Sequence, residues 1–158
     1  MAVTARLTQG PVDAGAELNA FMAGRTLDGA VASFVGIARG ASSSGEEVAG
    51  LFLDHYPGMT ERSIEEIAQA GAERFDVSDV LVIHRCGAIA PGEAIVFVAA
   101  ASRHRAEAFA AADYLMDRLK TEAAFWKRED FKRSDGAGTS RWIEPTEDDR
   151  ERRARWSE

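Results

Sequence analysis

The sequence predicts one α+β domain in which antiparallel β hairpins pack with helices, and three observations carry that prediction. Two apolar runs, SDVLVIHRCG and EAIVFVAAAS, are joined by the turn signal APGE. A helical stripe of Ala108, Ala112, Leu115 and Leu119 follows them at i, i+4, i+7, i+11 spacing. The predicted order is strand, helix, strand, strand, helix, strand, strand, helix, which suits hairpins and not a doubly wound sheet. The chain of 158 residues is one domain's worth. The domain is expected to occupy residues 1–145, with residues 146–158 a charged tail forming a surface helix or fraying.

Each element has a local reason. Val3 to Thr8 alternates apolar and polar side chains and predicts an opening strand, ended by Gly10-Pro11. Asp13 is placed to cap a short helix with Leu18, Phe21 and Met22 on one face, stopping near Gly24. The run GAVASFVGIAR from Gly29 predicts a largely buried strand. The Gly/Ser segment after Arg39 and the alternation of VAGLFLDHY predict a hairpin with Arg39 at its mouth. Pro57 suits a first helical turn, and Met59, Ile64, Ile67, Ala68 and Gly71 keep helical spacing to about Phe75. Ser102 is the expected N-cap of a long helix over about Arg103 to Thr121. AFWKREDFKRSDGAGTSRWIEP predicts two short extended pieces around a Gly-rich loop.

Composition narrows the function. A net charge of −7 argues against general nucleic-acid binding, which needs a basic surface, but allows a locally basic pocket. No apolar run is long enough for a membrane helix. MAVTARLTQG lacks signal-peptide layout, and the single cysteine, Cys86, forms no internal disulfide, so a reducing, cytoplasmic setting is expected. Three histidines and one cysteine, scattered between hairpins, make no metal site. His55 and His84 are expected in core or strand-edge roles, and Cys86 buried and inert.

The basic residues are not evenly spread. Arg118, Lys120, Lys127, Arg128, Lys132 and Arg133 fall within sixteen positions of this acidic chain. Lys120 and Lys127 are either solvated surface lysines or an anion site, with Phe125 and Trp126 supplying an apolar wall that would lower a lysine's proton affinity. SRHR from Ser102 opens the long helix, where free N–H groups attract anions and His104 and Arg105 add donors. Sixteen residues separate His104 from Lys120, about 24 Å along an unbroken helix, against a pocket roughly 10 Å across. Either only one end is functional, or a two-fold dimer joins His104 of one copy to Lys120 of the other.

The stretches GAVASFVGIAR, LDHYPGM, VIHRCGAIAPGEAIVFVAAASRHRAEAF, YLMDRLKTEAAFWKRE and SRWIEP, from about Gly29 to Pro145, resemble the large, catalytic subunit of molybdopterin synthase. The combination of HYPGM, the HR…G…PGE hairpin, the S-x-HR helix start and K-x6-K is specific. The resemblance implies an α+β fold with a hammerhead-like β arrangement. It implies a homodimer within a heterotetramer, each large subunit binding a small ubiquitin-like sulfur carrier. The carrier's C-terminal Gly-Gly thiocarboxylate would deliver two sulfurs in turn to cyclic pyranopterin monophosphate, making the dithiolene of molybdopterin. No metal or organic cofactor is implied. By position, Lys120 and Lys127 match the essential lysines, and Arg39, His104, Arg105 and Arg141 match substrate-binding cations. Phe34 and Met116 match pocket-lining residues, while the His-Arg pair and the last arginine would come from the neighbouring subunit. The GASSSGEE loop after Arg39 departs from the pattern, which leaves its part in closing the pocket open. The alternative is a non-catalytic homologue that binds a ubiquitin-like carrier or an anionic ligand.

Overall fold

The computed structural model describes residues 1–132 and 138–157. Its elements are β1 (Ala2–Thr8), α1 (Ala14–Met22), β2 (Ala30–Ile37), β3 (Val48–His55), α2 (Met59–Arg74), β4 (Asp79–Arg85), β5 (Gly87–Ile89), β6 (Ala94–Ser102), α3 (Arg105–Glu122), β7 (Phe125–Phe131), β8 (Thr139–Ile143) and α4 (Glu147–Ala154). Two four-stranded sheets result, ordered β1-β4-β6-β2 and β5-β3-β7-β8. Arg133 and most of the predicted Gly-rich loop fall at 133–137, outside the described residues.

The centre is the antiparallel β4–β6 pair, buried on both faces. Val80, Val82, Val98 and Ala100 face α2 and α3, meeting Ile64, Ile67, Ala68, Ala111 and Leu115. Leu81, Ile83, Phe97, Ala99 and Ala101 face the other way, toward Phe21 of α1. Strands covered on both sides read as unbroken apolar runs, which is why DVLVI and AIVFVAAA stand out in the sequence. The second sheet has a smaller core of Ala38, Leu51, Leu53 and Ile89, with Phe125 bridging it to the first.

The structure corrects five expectations. β1 lies parallel to β4, so the first sheet is mixed; its alternating side chains carried no information on which strand it joins. β2 and β3 do not form a hairpin: they enter different sheets, and only the tip is closed, by a bridge between Ala41 and Glu47. β2 is an edge strand pairing β6 alone. It is therefore not largely buried: Ala32 is covered, whereas Phe34, Val35 and Ile37 are exposed. α3 starts two residues later than expected, with His104 at its N-cap. Ser102 instead ends β6, donating to the Asp76 carbonyl and accepting from the His104 N–H. Met22, expected on the packed face of α1, is exposed while Phe21 is buried. β5, a three-residue strand, went unpredicted within the turn.

Other local expectations hold. Asp13 caps α1 by accepting from the Ala16 N–H. Gly29 has to be glycine: a Cβ there would lie 2.4 Å from the Arg103 carbonyl oxygen, because Gly29 N–H donates to Ser102 at the start of β2. No helix among the described residues is long and apolar enough to cross a membrane.

The α2–α3 contact rests on a second glycine. A Cβ on Gly71 would lie 2.7 Å from Leu115, a fully buried side chain on α3. Gly71→Val is expected to lower unfolding free energy by about 1–3 kcal/mol through overpacking, read from urea denaturation. An unchanged midpoint would show that α2 and α3 can move apart at no cost.

Candidate functional site

α3 is the spine of the site. Its buried stripe contains the four predicted residues Ala108, Ala112, Leu115 and Leu119, together with Ala111, Tyr114, Met116 and Asp117. Lys120 is exposed in its last turn, where a cation complements the helix dipole. Past the helix end the chain reverses into β7, and strand alternation then sorts the following side chains. Phe125 and Lys127 share the half-buried face, while Trp126 and Arg128 point to the opposite one. Trp126 is thus not a wall for the lysines as expected; it is half exposed and its indole N–H donates to the Tyr56 hydroxyl. Phe125 turns inward and stacks on His84, ring centroids 4.4 Å apart.

Three of the predicted cations converge. Burial, the charge of Lys120 and the charge of Arg39 push the Lys127 ammonium below the ordinary lysine range, against opposing pulls from Glu129 and Asp149. The neighbouring basic residues are neutralised: Arg118 by Glu122, Arg128 by Asp130, Lys132 by Glu47. Among the described residues neither Lys120 nor Lys127 nor Arg39 forms an ion pair, so these three cations are left available for a ligand.

Beside Lys120 a cavity of about 330 Å³ opens between β2, α3 and α4; Lys127 is not among its lining residues. Ala32, Ser33 and Phe34 line it from β2, Phe109, Ala112, Met116 and Lys120 from α3, and Asp149 and Arg152 from α4. Phe34, Met116 and Lys120 therefore meet in one space. A larger, more open cleft of about 550 Å³ lies under α1, but its arginines are engaged, Arg25 by Asp28 and Asp79 and Arg6 by Glu17. The smaller cavity is lined by Lys120, which has no ion-pair partner among the described residues, so it is the candidate site.

The remaining predicted residues are elsewhere. His104 and Arg105 are exposed at the opposite end of α3, which is continuous over its 18 residues. At 1.5 Å per residue they lie about 24 Å from Lys120 along the axis, so one chain cannot bring them together. Arg141, on β8 opposite Glu129, is held by Glu46 of the Gly/Ser loop and lies over Phe131.

Several site residues escaped the sequence reading. Asp149 belongs to the terminal stretch 146–158, whose larger part is the helix α4, docked on α3. Arg152 and Arg155 both reach Asp113 and Asp117, and the Trp156 indole N–H donates to Asp117. The signal for the start of α4 was present as Thr146-x-x-Asp149, a capping box in which each residue bonds the other's N–H. Nothing in the sequence showed which surface the helix would cover. His84 is buried in β4, the core role expected for it. Burial pushes its imidazole down to about 4, the Arg85 carbonyl bond opposes this, and Lys120 is the charge acting on it.

Comparison with known proteins fits this arrangement. The family model described as MoaE protein matches residues 7–122. The chain belongs to the MoaE protein family. It is 50% identical over 152 residues to a molybdopterin synthase catalytic subunit from Caulobacter vibrioides, covering 96% of each chain. The MoaE protein structure from Burkholderia ambifaria superposes with a TM-score of 0.79 at 40% identity, covering 100% of this chain and 99% of that one. A Helicobacter pylori structure, described as a complex of subunits 1 and 2 of molybdopterin-converting factor, shares the fold. Its TM-score is 0.66 at 22% identity, over 79% of this chain and 83% of that one. Membership of the MoaE family agrees with the resemblance drawn from the motifs, and the matching structures with the α+β class.

Asp117 ties α4 to the site, and its charge can be tested. Burial alone would raise its carboxyl, but hydrogen bonds from Trp156 and Arg155 and the charges of Arg152 and Arg155 hold it below the ordinary range. A depressed carboxylate stabilises the fold above its unfolded value, about 3.9, and that contribution disappears as pH falls through the folded value. Hydrogen exchange over 147–157 is expected to show protection at pH 7 that begins to fall below about pH 4 and is lost only as pH passes through the lower folded value. Asp117→Asn should reduce that protection at pH 7, at a cost of about 1–3 kcal/mol. Full protection in this variant would remove Asp117 from the docking of α4.

Proposed function

We propose that this protein is the catalytic, sulfur-transferring subunit of a molybdopterin synthase in molybdenum cofactor biosynthesis. The observation that carries the reading is Lys120, unpaired and lining a cavity with Phe34 and Met116, with Lys127 within its electrostatic reach, in a MoaE family chain. Its relatives at 42–50% identity are molybdopterin synthase catalytic subunits.

In this reading a small ubiquitin-like carrier inserts its C-terminal Gly-Gly tail, bearing a thiocarboxylate, toward Lys120. Sulfur passes twice to cyclic pyranopterin monophosphate. Lys120 acts at the carbon receiving sulfur, as acid/base catalyst or by polarising the thiocarboxylate carbonyl. Lys127, whose proton is held less tightly than an ordinary lysine's, assists with charge or proton transfer. Arg39, His104, Arg105 and Arg141 hold phosphate and pterin, since an arginine fork matches phosphate oxygens. Phe34 and Met116 supply the apolar wall. The reaction calls for no metal, because the sulfur arrives activated on the partner.

The site is shared between two copies of the chain. His104 and Arg105 belong to the neighbouring subunit's pocket, consistent with the length of α3. The exposed apolar edge of β2 (Phe34, Val35 and Ile37), with Phe109 close by, is the kind of surface a second copy covers. Two large and two small subunits then make a heterotetramer, working in the cytoplasm.

Lys120→Ala is expected to abolish dithiolene formation from thiocarboxylated carrier and pterin substrate, while circular dichroism and carrier binding stay unchanged. Retained turnover would sink the assignment. His104→Ala should also be inactive alone. Co-expressed with Lys120→Ala, it should regain activity, because a mixed dimer contains one site with both groups intact. Failure of this complementation, with mixed dimers present, would place the whole site in one chain.

A further inference from the structure

The two lysines lie on different elements, with a two-residue junction between them. α3 ends at Glu122 and β7 begins at Phe125, so Ala123 and Ala124 join the two elements, while β7 is also held in its sheet by β3 and β8. Both sides of Ala124 are gripped from α2. The Thr60 hydroxyl donates to the Ala124 carbonyl at 2.6 Å and accepts from the Tyr56 N–H at 2.8 Å. The Ser63 hydroxyl accepts from the Ala124 N–H at 3.1 Å and donates to the Thr60 carbonyl at 2.8 Å. Each hydroxyl has one donor and one acceptor partner, so neither is free to rotate. Thr60 is fully buried.

Ending a helix does not call for such a grip. Terminal carbonyls are commonly satisfied by water, and a Ser in a first helical turn usually bonds only within its own helix. Here two hydroxyls of one turn reach 64 and 61 residues along the chain to the same alanine. The next side chain is fixed as well: Phe125 stacks on His84, whose Nδ1 is bonded to the Arg85 carbonyl at 2.8 Å. Lys127 follows two residues later on the same face of β7. Its depth sets its burial and its distances from Lys120 on α3, Arg39 after β2, Glu129 on its own strand and Asp149 on α4.

We propose that Thr60 and Ser63 are positioning residues for sulfur transfer, holding the Ala124 peptide so that Lys120 and Lys127 keep one fixed separation and depth. The proposal rests on the reading of those lysines as the reacting pair. Misplacing a reacting group by about 1 Å can cost on the order of a hundredfold in rate, so the grip matters beyond stability.

The test uses the full chain with its thiocarboxylated carrier and pterin substrate, comparing Thr60→Val, Thr60→Ser and Ser63→Ala. Thr60→Val and Ser63→Ala are expected to lower kcat by about tenfold or more with KM within about twofold, and Thr60→Ser to restore most of the rate. Lys127, titrated by NMR with 13C-labelled lysine in the free chain, should move up toward the ordinary lysine value in the two slow variants. Should Thr60→Val fail to fold, Ser63→Ala, which loses less, carries the test. Wild-type kcat in both variants would overturn the proposal. So would equal slowing by Thr60→Ser and Thr60→Val, or a fall in thermal stability with the Lys127 titration unmoved. Lys127→Ala, run alongside, separates the two ideas: turnover retained there sinks the lysine reading, while the titration shift reports on the grip by itself.

Discussion

Repulsion between like charges is the constraint around which the site is organised. Lys120, Lys127 and Arg39 act on one region, and Lys127 is half-buried there. Two unit charges about 10 Å apart repel by roughly 2 kcal/mol at an effective dielectric near 20, and by more when closer. Domains have only about 5–15 kcal/mol of net stability, so such a cluster persists only where the rest of the fold holds it. The β4–β6 pair does much of this. Buried on both faces, it anchors α2 and α3 on one side and α1 on the other, and α3 in turn fixes Lys120.

The acidic residues are arranged to relieve the cluster without cancelling it. Arg118, Arg128 and Lys132 each have a carboxylate of their own, so the surplus of positive charge is confined to the lysine pair and Arg39. Asp113 and Asp117, which also face the cavity, are occupied by Arg152 and Arg155 of the C-terminal segment and so do not pair with Lys120. α4 thus plays two electrical parts. It removes two carboxylates from competition for the lysine and brings one, Asp149, near enough to moderate Lys127.

What the sequence made legible, and what it did not, follows from the range over which each signal acts. The β4 and β6 runs and the α3 stripe are local patterns produced by burial, and they were readable. Asp13 at the start of α1 is a local capping pattern and was equally plain. The parallel partnership of β1 with β4, the separation of β2 from β3 into two sheets, and the docking of α4 depend on chain sections far apart. No local pattern encodes them. Trp126 shows the same limit: its residue type promised an apolar wall, but one step of strand alternation turned it to the other face. At the site, residue types and motif spacing pointed to Lys120, Lys127 and Arg39, which the fold gathers, whereas Asp149 came from a segment expected to be a surface tail.

β2 belongs to both halves of the problem. As an edge strand it exposes Phe34, Val35 and Ile37, yet the same strand lines the cavity through Ala32, Ser33 and Phe34. A residue that lines the pocket of one chain and lies on an unpaired edge couples the pocket to whatever covers that edge. If the cover is a second copy, its arrival deepens the cavity at Phe34 and removes water from beside Lys120. Electrostatic interactions within the site then strengthen, because the local dielectric falls. A lone chain would have the lysines but hold them in a wetter, shallower space. Under the proposed two-copy arrangement, the exposed apolar edge of β2 and the unpaired Lys120 beside Phe34 become parts of one environment that assembly would complete.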